Sequence, residues 1–121
     1  MQLSSLLAKT PTELGPGYVS ALAAADHLLQ AWQSGDVENG MALLSNHAKE
    51  TATTDVVEGF FSNPGASAYE IGRGKMVGRG RYEFPVVLIA GSSNSAHMRR
   101  RFSSIIVVNA GNKDWVVDKL P

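Results

Sequence analysis

The hydrophobic period of this chain changes once, near residue 66. Before that point apolar residues return every three or four positions. Tyr18, Leu22, Ala25, Leu29 and Trp32 follow spacings of four, three, four and three, and Ala21 and Leu28 widen the stripe. Side chains three and four apart share a helix face, so this spacing predicts an amphipathic helix over Tyr18–Ser34. From Ser67 onward the period is two, that of a strand with one face toward a core. Helical patterns first and strand patterns afterwards make an α+β chain, with helices segregated to one side of an antiparallel sheet. At 121 residues and 44% hydrophobic, the chain has material for one core. The pattern divides the chain into an N-terminal arm (1–16) and a single domain (17–121).

Punctuation residues refine the pattern. Pro11 could follow a Thr10 cap in the arm, and Gly15-Pro16-Gly17 breaks it. Gly35 can end the first helix in a left-handed conformation, and Asp36 can cap a second over Val37–Ser45. That helix offers Val37, Met41 and Leu44 as its apolar face. Gly40 inside it costs about 1 kcal/mol relative to alanine, which marks a close helix contact. Residues 46–54 are polar and poorly periodic and read as a connection. A third helix follows, with Asp55 and Glu58 at capping-box spacing, Val56, Val57, Phe60 and Phe61 on one side, and Asn63-Pro64-Gly65 as its stop. Four strands come next, over 69–77, 81–90, 97–109 and 114–120. Short Gly/Asn/Ser turns join them, which predicts an antiparallel meander.

A two-residue turn at Gly78-Arg79 would pair Val77 with Gly80, Lys75 with Tyr82, Arg73 with Phe84, Ile71 with Val86 and Tyr69 with Leu88. This register gathers Tyr69, Ile71, Tyr82, Phe84, Val86 and Leu88 on one face, with Arg73 and Lys75 near the turn. Met98, Arg100, Phe102, Ile106 and Val108 would extend that face. The opposite face would carry Pro85, Val87, Ile89, Ile105 and Val107, with Arg81, Glu83, Arg99 and Arg101 as a charged rim. The three helices can cover one face. A second copy of the chain is the natural cover for the other, which predicts a homodimer.

Composition excludes several chemistries. There is no cysteine, hence no disulfide, zinc thiolate, iron–sulfur cluster or thiol nucleophile. His27, His47 and His97 lack helical metal-ligand spacing, so no metal or other cofactor is implied. No apolar run approaches the roughly 18 residues of a membrane span, and Met1–Thr10 lack the pattern of a signal peptide. The expected protein is soluble and cytoplasmic. Eleven basic and eleven acidic residues balance, but residues 1–60 carry net minus five and residues 61–121 net plus five. Either the halves complement each other internally or the basic half presents an anion site. Gly72-Arg73-Gly74-Lys75-Met76-Val77-Gly78-Arg79-Gly80 has neither dinucleotide-fingerprint nor phosphate-loop spacing and reads as a glycine-eased hairpin. Arg99-Arg100-Arg101 alternates faces, so it does not make one basic patch, and nucleic acid is not an expected partner.

Leu28-Leu29-Gln30-Ala31-Trp32-Gln33-Ser34-Gly35-Asp36, then Met41-Ala42-Leu43-Leu44-Ser45, and finally Asp114-Trp115-Val116-Val117-Asp118, resemble the nuclear transport factor 2-like superfamily. The resemblance covers about residues 18–120. It implies a cone of curved, four-stranded antiparallel sheet wrapped round a helix, and dimers that often form through the outer sheet face. The superfamily includes ketosteroid isomerase. The position matching that enzyme's oxyanion tyrosine is Leu28, and its general base would fall near Ala52. Neither side chain can perform that chemistry. Fold alone does not decide function here.

The leading expectation is therefore a non-catalytic small-ligand-binding or interaction domain. Its apolar pocket would be lined by Tyr18, Trp32, Tyr69 and Tyr82, with Arg73 or Arg100 at the rim for a small apolar or anionic ligand. Core packing is the alternative role for the aromatic residues. The competing expectation is a lyase or isomerase acting on a small cyclic substrate, with Asp26 or His47 as base. A third is polyanion or RNA binding through Arg79, Arg81, Arg99 and Arg101.

Overall fold

The computed structural model describes residues 17–61, 67–91, 98–111 and 114–121. The expected arm, the Asn63-Pro64-Gly65 stop, most of the two later turns, and His97 lie outside the described residues. Among the described residues four helices come first: α1 (Tyr18–Ser34), α2 (Val37–Ala42), α3 (Asn46–Thr51) and α4 (Thr54–Phe61). Five strands follow: β1 (Ser67–Ile71), β2 (Lys75–Gly78), β3 (Arg81–Gly91), β4 (Met98–Gly111) and β5 (Asp114–Lys119). Among the described residues the protein is thus α+β, with an open antiparallel sheet in the order β1-β3-β4-β5. β2 continues along the edge of β3 that β1 occupies.

Among the described residues four helices stand where three were expected, because caps outweigh poor periodicity. Ser45 accepts a hydrogen bond from the Ala48 amide at 3.0 Å and starts α3 within the stretch read as a connection. The second helix stops at Ala42. Leu44 instead forms a parallel bridge to Val117, with the Ser45 amide donating to the Val117 carbonyl at 2.8 Å and the Val117 amide donating to that of Leu43 at 2.7 Å. This segment occupies the free edge of β5. At α4 the cap is Thr53, whose hydroxyl accepts from the Val56 amide at 3.2 Å, not Asp55.

The fifth strand arises from Pro85. Its nitrogen has no hydrogen to give the ladder, and opposite it the first expected strand breaks in two. Gly72, Arg73 and Gly74 face only Phe84 and Pro85, and the Gly72 amide reaches the Pro85 carbonyl at 2.7 Å. The pairs Tyr69–Leu88 and Ile71–Val86 form as expected. The extra residue then moves the register by one, so that Lys75 pairs with Glu83. The turn becomes Arg79-Gly80, with Gly80 at φ 64°, a conformation that favours glycine.

The core lies between α1 and the sheet. Ala21, Ala25, Leu28, Leu29 and Trp32 on the helix meet Tyr82, Phe84, Val86 and Leu88 of β3, Ile105 and Val107 of β4, and Val117 of β5. Here β4 reverses the expectation. Its register pairs Phe84 with Ile105 and Tyr82 with Val107, which turns the odd-numbered residues toward the helices. Ile105 and Val107 are fully buried, whereas Phe102 is 76% exposed. They therefore cannot belong to an outer interface, and Phe102, Ile106 and Val108 take their place.

Candidate functional site

The residues expected to line one pocket separate into four places. Tyr18 and Tyr82 remain together, with ring centroids 5.7 Å apart and edge-on, and Phe84 lies 5.5 Å from Tyr18. Tyr82 and Phe84 are fully buried. The Tyr18 hydroxyl accepts from the Gly74 amide at 3.0 Å, so its polar tip is used to hold the β1–β2 connection. A Cβ on Gly74 would fall within 3.0 Å of the Phe84 ring, so this glycine permits the close approach. Trp32 sits near the far end of α1, stacked on Phe60 at 6.4 Å.

Tyr69 joins Asp26, a pairing the sequence reading did not anticipate. The Tyr69 hydroxyl donates to one carboxylate oxygen of Asp26 at 2.7 Å, and the Gln30 side-chain amide donates to the other at 2.6 Å. Burial, then the hydrogen bond to Asp26 and its negative charge, push the Tyr69 phenol up to about 12. The chemistry follows from the occupancy of these groups. Both carboxylate oxygens of Asp26 already receive a donor, and a phenol titrating so high does not give up its proton near neutrality. The trio ties β1 to α1.

Arg73 and Arg100 reach neither aromatic group. Arg100 pairs across the sheet with Ile89 and is exposed on the outer face, away from the helices. Arg73 lines a shallow outer cleft of about 370 Å³ with Lys75, Glu83, Pro85 and Ser104, beside a Lys75–Glu83 ion pair at 3.7 Å. The basic residues of the polyanion reading are also divided. Arg81 lies on the outer face, whereas Arg99 and Arg101 pair with Ala90 and Leu88 on the helix-facing side. His47 is exposed on α3, at a separate cleft beside β5. Among the described residues no group of three or more His, Asp or Glu side chains is placed to hold a metal ion, and no helix is long and apolar enough to cross a membrane.

The outer face is the most distinctive surface these registers produce. Cross-strand pairs Pro85–Ser104, Val87–Phe102, Ile89–Arg100, Glu83–Ile106 and Arg81–Val108 all lie on the sheet face opposite the one packed against α1. Val116 continues the row from β5 beside Val108. Phe102 and Pro85 are exposed, while Val87, Ile89, Ile106, Val108 and Val116 are half-buried by their neighbours. Charges of both signs border the apolar strip: Arg81, Arg100 and Lys75 with Glu70 and Glu83. No family model matches the chain, and neither a curated protein nor a solved structure matches it.

Proposed function

We infer that this chain is a non-catalytic interaction domain of the nuclear transport factor 2-like type, and that it self-associates through the outer face of its sheet. The observation that carries the reading is Phe102, a large apolar side chain left mostly in water at the middle of an apolar strip. Fully burying a phenylalanine is worth roughly 1.5–3 kcal/mol, and contiguous apolar patches mark interaction surfaces. A second copy suits the strip, because a twofold axis makes one surface its own partner and the bordering charges of both signs can pair across it. The order of elements, helices before an antiparallel sheet, supports the family assignment. The lyase or isomerase reading has weaker support, since both Asp26 oxygens are occupied and His47 is open to solvent.

Light scattering tests the reading. The intact protein is expected to give a dimer mass at micromolar concentration. Phe102→Glu should give a monomer with an unchanged far-ultraviolet spectrum, because facing carboxylates would lose water without gaining partners. A monomer mass for the intact protein overturns the proposal.

A further inference from the structure

At the end of the sheet where β5 finishes, residues of α3, α4, β3, β4 and the end of the chain line a cleft of about 580 Å³. This is within the range of small-molecule sites. Its apolar lining includes Val56, Ile106 and Leu120, and its polar lining includes His47, Arg81 and Lys119. The cleft lies apart from the Tyr18–Tyr82–Phe84 packing and from the Asp26–Tyr69 pair.

Two features hold the cationic groups in place. The first is an irregularity in β5. Val117 pairs with Val107 but Lys119 pairs with Ile106, so Asp118 is an extra residue in the ladder. Regular alternation would send Asp118 and Lys119 to opposite faces. The bulge allows both to line one cleft, a common use of bulges in re-aiming a side chain. The second is a chain of hydrogen bonds. Ser45 is fixed as the cap of α3, and its hydroxyl donates to Asp118 at 2.7 Å. The other oxygen of Asp118 accepts from Arg81 at 3.3 Å. This contact uses one guanidinium nitrogen of Arg81 and leaves other N–H donors for a ligand. Among the described residues Lys119 has no carboxylate partner. Among the side chains of the lining, two cations, Arg81 and Lys119, stand against one carboxylate, Asp118, which is engaged by Ser45 and Arg81.

The geometry points to a binding site for a small amphipathic carboxylate, its anionic head on Arg81 and Lys119 and its apolar tail along Val56, Ile106 and Leu120. The chemistry needs both parts: the cations recognise charge, and the apolar wall adds affinity that a bare inorganic anion would not gain.

Octanoate, octanamide and inorganic phosphate are the probes, followed by amide NMR titration of the intact protein. Octanoate should move the amides of 47–56 and 118–120 saturably, while octanamide and phosphate leave them nearly unmoved. Lys119→Gln, at an exposed position that folding does not need, should weaken octanoate by about fivefold with an unchanged melting temperature. Val56→Asp should abolish the shifts by placing a carboxylate on the wall. Arg81 and Ile106 belong both to the outer strip and to the cleft, so Phe102→Glu, which opens the strip, should bind octanoate at least as tightly as the intact protein. Equal binding of octanamide overturns the proposal, as does unchanged affinity in Lys119→Gln. Shifts centred on Val87 and Phe102, or their loss in Phe102→Glu, also overturn it.

Discussion

Replacing Gly40 by alanine sets two effects against each other within one short helix. In isolation alanine is favoured over glycine by about 1 kcal/mol at a helix interior. In the folded protein, a Cβ on Gly40 would lie within 3.0 Å of three carbons of the Phe61 ring. That ring is 1% exposed and sits edge-on to Phe60 at 4.9 Å, so it has no solvent to move into. Overpacking by one carbon typically costs about 1–3 kcal/mol. Set against the propensity gain, the clash should make Gly40→Ala destabilise the protein by up to about 2 kcal/mol, lowering Tm by about 4 °C per kcal/mol. Thermal and urea melts read the sign directly. A double-mutant cycle with Phe61→Leu isolates the cause, because leucine lacks the outer ring carbons. In that background Gly40→Ala should become neutral or stabilising. If Gly40→Ala raises Tm in the parent protein, or has the same effect in both backgrounds, the contact between α2 and α4 does not explain this glycine.

Two further outcomes follow from polar contacts. Ser45→Ala removes the α3 cap and the hydrogen bond to Asp118 together and should cost about 1–2 kcal/mol in urea melts, with Ser45→Thr recovering part of the loss. The folded state favours the neutral Tyr69 phenol, whose pKa of about 12 exceeds the unfolded value of 10.0. Its contribution is therefore fully present below pH 10 and lost as pH rises toward 12. Tyr69→Phe should make stability fall less steeply across that window; the Tyr82 phenol, also raised by burial, keeps a residual slope of the same sign. An identical slope in chemical melts of both proteins would refute the assignment.

Local signals carried much of the helical half. The stripe from Tyr18 to Trp32, the left-handed Gly35 and the Asp36 cap all act within a few residues, so their spacing is sufficient to place α1 and start α2. The Ser45 and Thr53 caps were equally local signals, and the polarity of 46–54 obscured them. Residues assigned to one pocket were less legible. Tyr18, Trp32, Tyr69 and Tyr82 are all apolar-faced aromatic residues in the sequence, and nothing in their spacing says that Tyr69 meets Asp26 while Trp32 meets Phe60.

The sequence alone determined that helices precede strands and that the sheet is antiparallel, because period and short turns are properties of neighbouring residues. Tertiary structure decided which face of β4 looks inward. Both series in that strand are apolar, Ile105 with Val107 and Phe102 with Ile106 and Val108, so alternation marks two faces without ranking them. Register comes from the partner strand across the intervening connection, and a shift of one residue exchanges every side chain between core and surface. The same dependence governs the other end of the sheet. The missing N–H of Pro85 breaks a ladder whose effect is felt at Arg73 and Lys75, and the extra Asp118 in β5 brings a cation and its neighbouring carboxylate to one cleft. These placements depend on residues distant in the chain, and only the folded sheet brings them together.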